Sequence, residues 1–193
     1  MRTMMRVRTV VNHRQLLLLI AAILTVTAAG CTGSSTAPSS PPSGTTTIAF
    51  SSITADGAPV TIYTENGYSL STSGDWQGKT TFGNPPPFIE FVTPAATMKV
   101  AMVQVFANTH EPFTFRSVDV YSSITTVPYV ISGVRDFSVV FMVSDTLPNT
   151  FGNFRTVLST HPNDAVDTLT IQLTNPVTCC ANTIGIDNIV VSR

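Results

Sequence analysis

The chain has 193 residues, with 10 Lys and Arg against 11 Asp and Glu for a formal net charge of −1. Charged residues make up 11% of it, and the only clustered basic residues are Arg2, Arg6, Arg8 and Arg14, which excludes a phosphate-contacting nucleic-acid surface elsewhere. Without those four the balance is six basic against eleven acidic side chains, near −5. Thr, Val and Ser dominate instead, with Asn also abundant, the balance of an extracytoplasmic β-protein.

In chain order, the four arginines precede an apolar run over residues 16–26, and the small residues Ala28, Ala29 and Gly30 follow. This is the layout of a secretory signal peptide over residues 1–30. The run is about half of the roughly 20 residues that span a bilayer, so a permanent transmembrane helix is not expected. Cys31 closes the segment, and Thr27-Ala28-Ala29-Gly30-Cys31 resembles the lipobox of bacterial lipoproteins. That resemblance implies removal of the leader and lipidation of Cys31. It departs from the pattern at Ala28, where the family usually has leucine, and the alternative is an ordinary secreted protein cut near Ala28 or Ala29. Stable anchoring takes at least two acyl chains, and a mature bacterial lipoprotein carries three. Thr32 is not the aspartate that often retains lipoproteins in the inner membrane, so the outer membrane is expected where the cell has one.

Residues 31–46 form a Ser/Thr/Pro tether. They hold no apolar side chain that could offset the entropy of ordering them. The spacer is expected to lift a single domain, residues 47–193, off the bilayer. Its roughly 147 residues suffice for one core that buries about two-thirds of the unfolded surface.

The domain reads as all-β. Short β-branched and aromatic runs alternate with Gly, Pro, Asn and Asp clusters. Val60 and Ile62 alternate, as do Tyr68, Leu70 and Thr72, on either side of Glu65-Asn66-Gly67, a strong hairpin signal. Further strands are expected over residues 89–92, 98–105, 113–123, 129–134, 137–144, 154–159, 169–174 and 184–191. In 113–121 the apolar parity switches between Phe115 and Val118, which predicts a bulge near Arg116-Ser117. Residues 137–143 are apolar at nearly every position, which predicts a central strand covered on both faces. About ten short strands at this spacing predict a two-sheet antiparallel β-sandwich.

The succession Gly57 to Val60, Tyr63 to Gly67, Trp76, Gly83 to Pro87, Phe113 to Asp119, Pro148 to Asn153 and Gly185 to Ile189 is similar to the jelly-roll domains of bacterial surface proteins. Many of those carry a PEP-CTERM sorting tail, and they belong loosely to the galactose-binding-like fold. The resemblance implies the architecture and not an activity. A lipid anchor is expected in place of the sorting tail.

That fold often binds glycans through loop aromatics or a concave sheet face. Sugar recognition needs a flat apolar platform and a few fixed polar groups. The loop Ser73-Gly74-Asp75-Trp76-Gln77-Gly78-Lys79 offers the single tryptophan beside Asp75 and Gln77, with Phe82 and Asn84 following. The alternative, which the sequence favours, is that Trp76 plugs one end of the sandwich. Asn149 to Phe154 is a second polar-aromatic loop, read rather as a turn. In several sugar-binding relatives an aspartate near the last strand helps to hold a structural calcium, which would cast Asp187 as a ligand with Asp56 or Glu65. Calcium needs six to eight oxygen ligands, and the competing reading is that Asp187 accepts a hydrogen bond from a neighbouring turn.

Cys179 and Cys180 are adjacent in a loop between two strands. Three states are open to them: a vicinal disulfide, two free thiols, or intermolecular pairing. Adjacent Cα atoms lie about 3.8 Å apart across a trans peptide, below the usual 4.4–6.8 Å of a disulfide, so a vicinal bridge would be strained and reducible. A thioredoxin-type enzyme is not expected, because its motif needs two intervening residues. His110 and His161 both sit beside turn residues, Asp164 and Asp167 read as a turn entering a strand, and no hydrolase or phosphate-loop motif occurs. The expected protein is therefore a non-catalytic, lipid-anchored binding or adhesion module of the bacterial cell envelope. Its expected partners are the membrane through the anchor, and a polysaccharide or another envelope protein. The alternative function is a structural envelope protein that contacts other proteins and binds no small ligand.

Overall fold

The computed structural model describes residues 44–81 and 86–193. Cys31, most of the tether, Phe82 and Asn84 lie outside the described residues. In chain order the strands are β1 (Thr45–Ile48), β2 (Ile62–Glu65), β3 (Tyr68–Ser73), β4 (Gln77–Lys79), β5 (Phe88–Thr93), β6 (Lys99–Ala107) and β7 (Phe113–Ser122). They continue with β8 (Val127–Arg135), β9 (Ser138–Leu147), β10 (Arg155–Leu158), β11 (Ala165–Val166), β12 (Thr168–Asn175) and β13 (Asn182–Ser192). Among the described residues there is no helix. β1 opens at Thr45, two residues inside the expected tether, because Thr45-Thr46-Thr47 find backbone partners in Ser192, Val191 and Val190.

The strands make two antiparallel sheets. One runs β10-β7-β13-β5-β4, with β1 also on β13 and β11 also on β7; the other runs β2-β3-β6-β12-β8-β9. Because β5, β6, β7 and β8 cross from sheet to sheet in turn, the sandwich is wound as a jelly roll. Period-two alternation sends one residue set inward. The register aligns Tyr63, Leu70, Val105, Leu169, Gly133 and Phe141 across all six strands of the second sheet, and every one of them is buried. They meet Ile89, Phe91, Phe115, Val118, Ile184 and Ile186 of the first sheet. Gly133 must be glycine at this packing distance, since a Cβ there would lie 2.4 Å from Phe141 and from Val166.

Two local expectations hold in detail. Asn66 and Gly67 have φ of 50° and 83° and join β2 to β3, the left-handed pair that a two-residue hairpin requires. In β7 the register against β13 slips between Ser117, opposite Val190, and Phe115, opposite Val191, so Arg116 is the extra residue of a bulge. The expected two-sided burial of residues 137–143 is not found. Asp136 and Phe137 form the β8–β9 turn, and β9 pairs with β8 alone, at the end of its sheet. Val139, Val140 and Met142 are exposed. An apolar run is compatible with burial on both faces but does not supply the neighbouring strand that would produce it.

Candidate functional site

The candidate tryptophan platform is internal, as the favoured packing reading of Trp76 has it. Trp76 is 2% exposed, its ring stands edge-on to Phe91 at 4.9 Å, and its Nε1–H donates to the Ser73 carbonyl at 3.1 Å. The loop thus turns its indole into the sandwich, and no ring face remains for a sugar. Asp75 points outward, where Lys99 binds its Oδ2 at 2.6 Å and holds its carboxyl below the usual range. Gln77 donates to Oε1 of Glu90 at 3.4 Å. Asp75, Trp76 and Gln77 therefore go to three different environments and make no joint site.

The two candidate metal ligands are also separated. Asp56 accepts hydrogen bonds from Thr80 and Thr81, and those from Thr80 lower its pKa most. Asp187 is 1% exposed and lies near Asp119 and Glu65. Burial pushes its carboxyl up to about 7, against a hydrogen bond from the Asn188 N–H, and the Asp119 and Glu65 charges add to the rise. The Asn188 side-chain amide donates to Asp119 at 3.0 Å and to Asp187 at 3.3 Å, so the turn hydrogen bond is the reading that the geometry takes. Glu65 accepts from the backbone N–H groups of Ala49, Phe50 and Ser51. N–H donors crowding a carboxylate leave no room for a cation that needs six to eight oxygens, so these residues do not fit calcium. Among the described residues no group of three or more His, Cys, Asp or Glu side chains is placed to hold a metal ion.

Cys179 and Cys180 are free and exposed, with Sγ atoms 3.1 Å apart. The hydrogen bond and charge of Cys179 push the Cys180 thiol up. In the Asn149 to Phe154 loop, Asn149 Oδ1 accepts from the Phe151 N–H at 2.9 Å and Thr150 ties to Ser122, which makes the turn. Phe154 packs edge-on against Phe88 and Tyr121, at 5.2 and 5.1 Å.

A site that the sequence did not reveal lies at one end of the six-stranded sheet. The outward residues of the last full row across it are Thr64, Ser69, Phe106, Thr168, Val134 and Val139. Loop 108–112 and the β8–β9 turn flank this row, and with its middle residues Ser69, Phe106, Thr168 and Val134 they line an open groove of about 1000 Å³. Its polar groups are fixed from below. Ser69 Oγ donates to Asn108 Oδ1 at 2.7 Å, and Asp167 Oδ2 accepts the Asp136 N–H at 2.8 Å. Arg135 pairs loosely with Asp136 at 3.9 Å, and His110 also faces the groove.

Phe137 crowns the groove. It is fully exposed and has φ of 62°, following Asp136 at 49°. A bulky side chain in the left-handed region costs roughly 1–2 kcal/mol, and no buried contact of Phe137 offsets it. Backbone outliers of this kind cluster at functional sites. The groove therefore combines an exposed ring, the half-buried Phe106 below it, acceptors from Asp136, Asp167 and Asn108, and donors from Arg135, Asn108 and His110.

No protein-family model matches the chain, and no curated protein matches it. Solved structures similar to it include a family 29 carbohydrate-binding module from Piromyces equi, with 11% identity and a TM-score of 0.46, covering 79% of this chain and 91% of that one. The family 11 carbohydrate-binding module of the Clostridium thermocellum cellulase Lic26A-Cel5E has 14% identity and a TM-score of 0.31, over 77% and 94%. The enzymatically active domain of bacteriophage CBA120 tailspike protein 4 has 15% identity and a TM-score of 0.44, over 64% and 19%. Likenesses of this degree carry nothing about a site.

Proposed function

We propose that the protein is a lipid-anchored, extracytoplasmic, non-catalytic module that binds a glycan in the groove under Phe137. The observation that carries this reading is Phe137 itself, an aromatic ring held in solvent by a strained turn beside fixed donors and acceptors. Sugars present flat C–H faces and hydroxyls that both donate and accept, which suits a ring flanked by Asn108, Asp136 and Asp167 better than it suits an ionic ligand. Arg135 offsets one of the groove's two carboxylates, Asp136 and Asp167, so an anionic ligand gains no net attraction there. Glycoside hydrolysis needs a desolvated carboxyl as general acid. The Asp136 side chain is 90% exposed, and Asp167 is occupied by the Asp136 N–H, so neither has that environment. The Cys31 anchor would place the groove outside the cell within tether reach of its surface.

The test is binding of the purified full chain to a glycan array and to insoluble polysaccharides, with Phe137→Ala alongside. Selective retention by one polysaccharide class, lost in Phe137→Ala with an unchanged circular dichroism spectrum, supports the reading. Retention by no glycan, or retention that survives Phe137→Ala, overturns it. Radiolabelled palmitate incorporated by the wild type and absent from Cys31→Ser tests the anchor separately. A second reading, protein contact, is favoured by the exposed Val139, Val140 and Met142 on edge strand β9. An unprotected apolar edge is a template for another strand.

A further inference from the structure

The loop between β12 and β13 is held at its base and free at its tip. Asn175 and Asn182 are fully buried, and they exchange hydrogen bonds: Asn175 Nδ2 donates to the Asn182 carbonyl at 3.2 Å, and Asn182 Nδ2 to Asn175 Oδ1 at 2.9 Å. Further out, the Ala96 N–H donates to the Thr178 carbonyl at 2.8 Å. At the tip, Cys179 and Cys180 expose both thiols. Their sulfurs, 3.1 Å apart, are about 1 Å beyond the covalent S–S length of ~2.05 Å. Closing that gap requires movement of two exposed side chains and adjustment of the peptide between them, above a clamped base.

We propose that Cys179 and Cys180 form a reversible thiol–disulfide exchange site that takes its oxidising equivalents from an external disulfide. The thiolate of one cysteine attacks the external disulfide R–S–S–R, forming a mixed disulfide and expelling one RS⁻. The neighbouring thiolate then attacks the protein sulfur of that mixed disulfide and expels the second RS⁻, closing an eight-membered ring. The pair loses two electrons and two protons, and the external disulfide becomes two thiols. The close Cα spacing of adjacent residues strains the ring. Strained, exposed disulfides have the more oxidising potentials and are the labile ones. The ring is thus an exchange centre and not a structural staple, which the clamped loop base makes unnecessary.

The test uses the reduced full chain, equilibrated in glutathione buffers of graded thiol-to-disulfide ratio, quenched in acid and cut with trypsin. Residues 156–193 form one tryptic peptide with both cysteines and no other thiol. The expected peptide from oxidising buffers is two hydrogens lighter, carries no glutathione, and returns to the dithiol as reduced glutathione is raised. Cys179→Ser and Cys180→Ser, unable to close the ring, should each retain one glutathione. A wild-type peptide that keeps both thiols at every ratio, carries two glutathiones, or is cross-linked to a second copy overturns the proposal.

Discussion

The phenol of Tyr121 reaches across the central strand of the seven-stranded sheet and donates to Oε2 of Glu90 at 2.6 Å, directly over Gly185. Gly185 pairs with Glu90 on one side and Tyr121 on the other, and a Cβ at that position would lie 2.1 Å from the Tyr121 ring. The glycine makes the bond possible, and Lys79 completes the carboxylate's surroundings at 3.2 Å. Removing a hydrogen bond to a charged acceptor costs about 1.5–3 kcal/mol, so Tyr121→Phe should lower unfolding free energy by about that much. Gly185→Ala should cost at least as much, because it displaces the ring as well as the bond. Urea titrations of both variants measure the order, and a milder Gly185→Ala would contradict the steric argument.

Phe137 sets stability against recognition. Replacing it with glycine relieves the left-handed strain and should raise stability by roughly 1 kcal/mol, while abolishing polysaccharide retention. A melting curve and a pull-down on one preparation give both quantities. A Phe137→Gly protein that is less stable than the wild type would show that the ring has packing partners.

Trp76 has the opposite profile. Truncating a buried tryptophan costs about 3–5 kcal/mol, so Trp76→Ala should unfold at much lower urea. Whatever remains folded should bind glycan as the wild type does, because the indole faces Phe91 and not the groove. Affinity of the folded fraction by calorimetry checks this.

Asp187 should make stability depend on pH. Its folded pKa of about 7 lies above the ordinary 3.8, so the folded state holds a proton that the unfolded chain releases. The resulting stabilisation is complete below pH 3.8, declines through the interval, and is gone above about pH 7. Melting temperature should therefore fall as pH rises from 5 to 8, and Asp187→Asn should flatten that slope. Differential scanning fluorimetry across the range reads the outcome; parallel slopes in both proteins would remove Asp187 as the cause.

Features carried by neighbouring residues were legible in the sequence. Strand alternation, the Asn66-Gly67 hairpin and the Arg116 bulge depend on side-chain parity and local backbone preference. Features that depend on which strand lies beside which were not. The 137–143 run gave no sign that β9 ends its sheet, since apolarity reports an affinity for burial and not its fulfilment. Trp76 could serve a core or a platform, the sequence leaned toward the core, and its ring direction bears that leaning out. The groove was hidden for a different reason: Ser69, Asn108, Asp136 and Asp167 come from four segments that only the sheet register brings together. The Asp136-Phe137 pair was its one local trace, but phenylalanine opening an apolar run reads as the first residue of a strand, and only the structure shows it to be a turn residue.

The place of β13 governs the order in which the molecule can be made. It is the last strand in chain order among the described residues, yet it lies between β5 and β7 and also receives β1. A chain emerging amino end first can pair β2 with β3 early, but its seven-stranded sheet has a gap through the middle until residues 182–192 arrive. Loop closure over so many residues is slow. The nascent domain therefore stays open through nearly all of its synthesis. Deleting residues 182–192 should leave an aggregation-prone half-sandwich and not a slightly shorter domain.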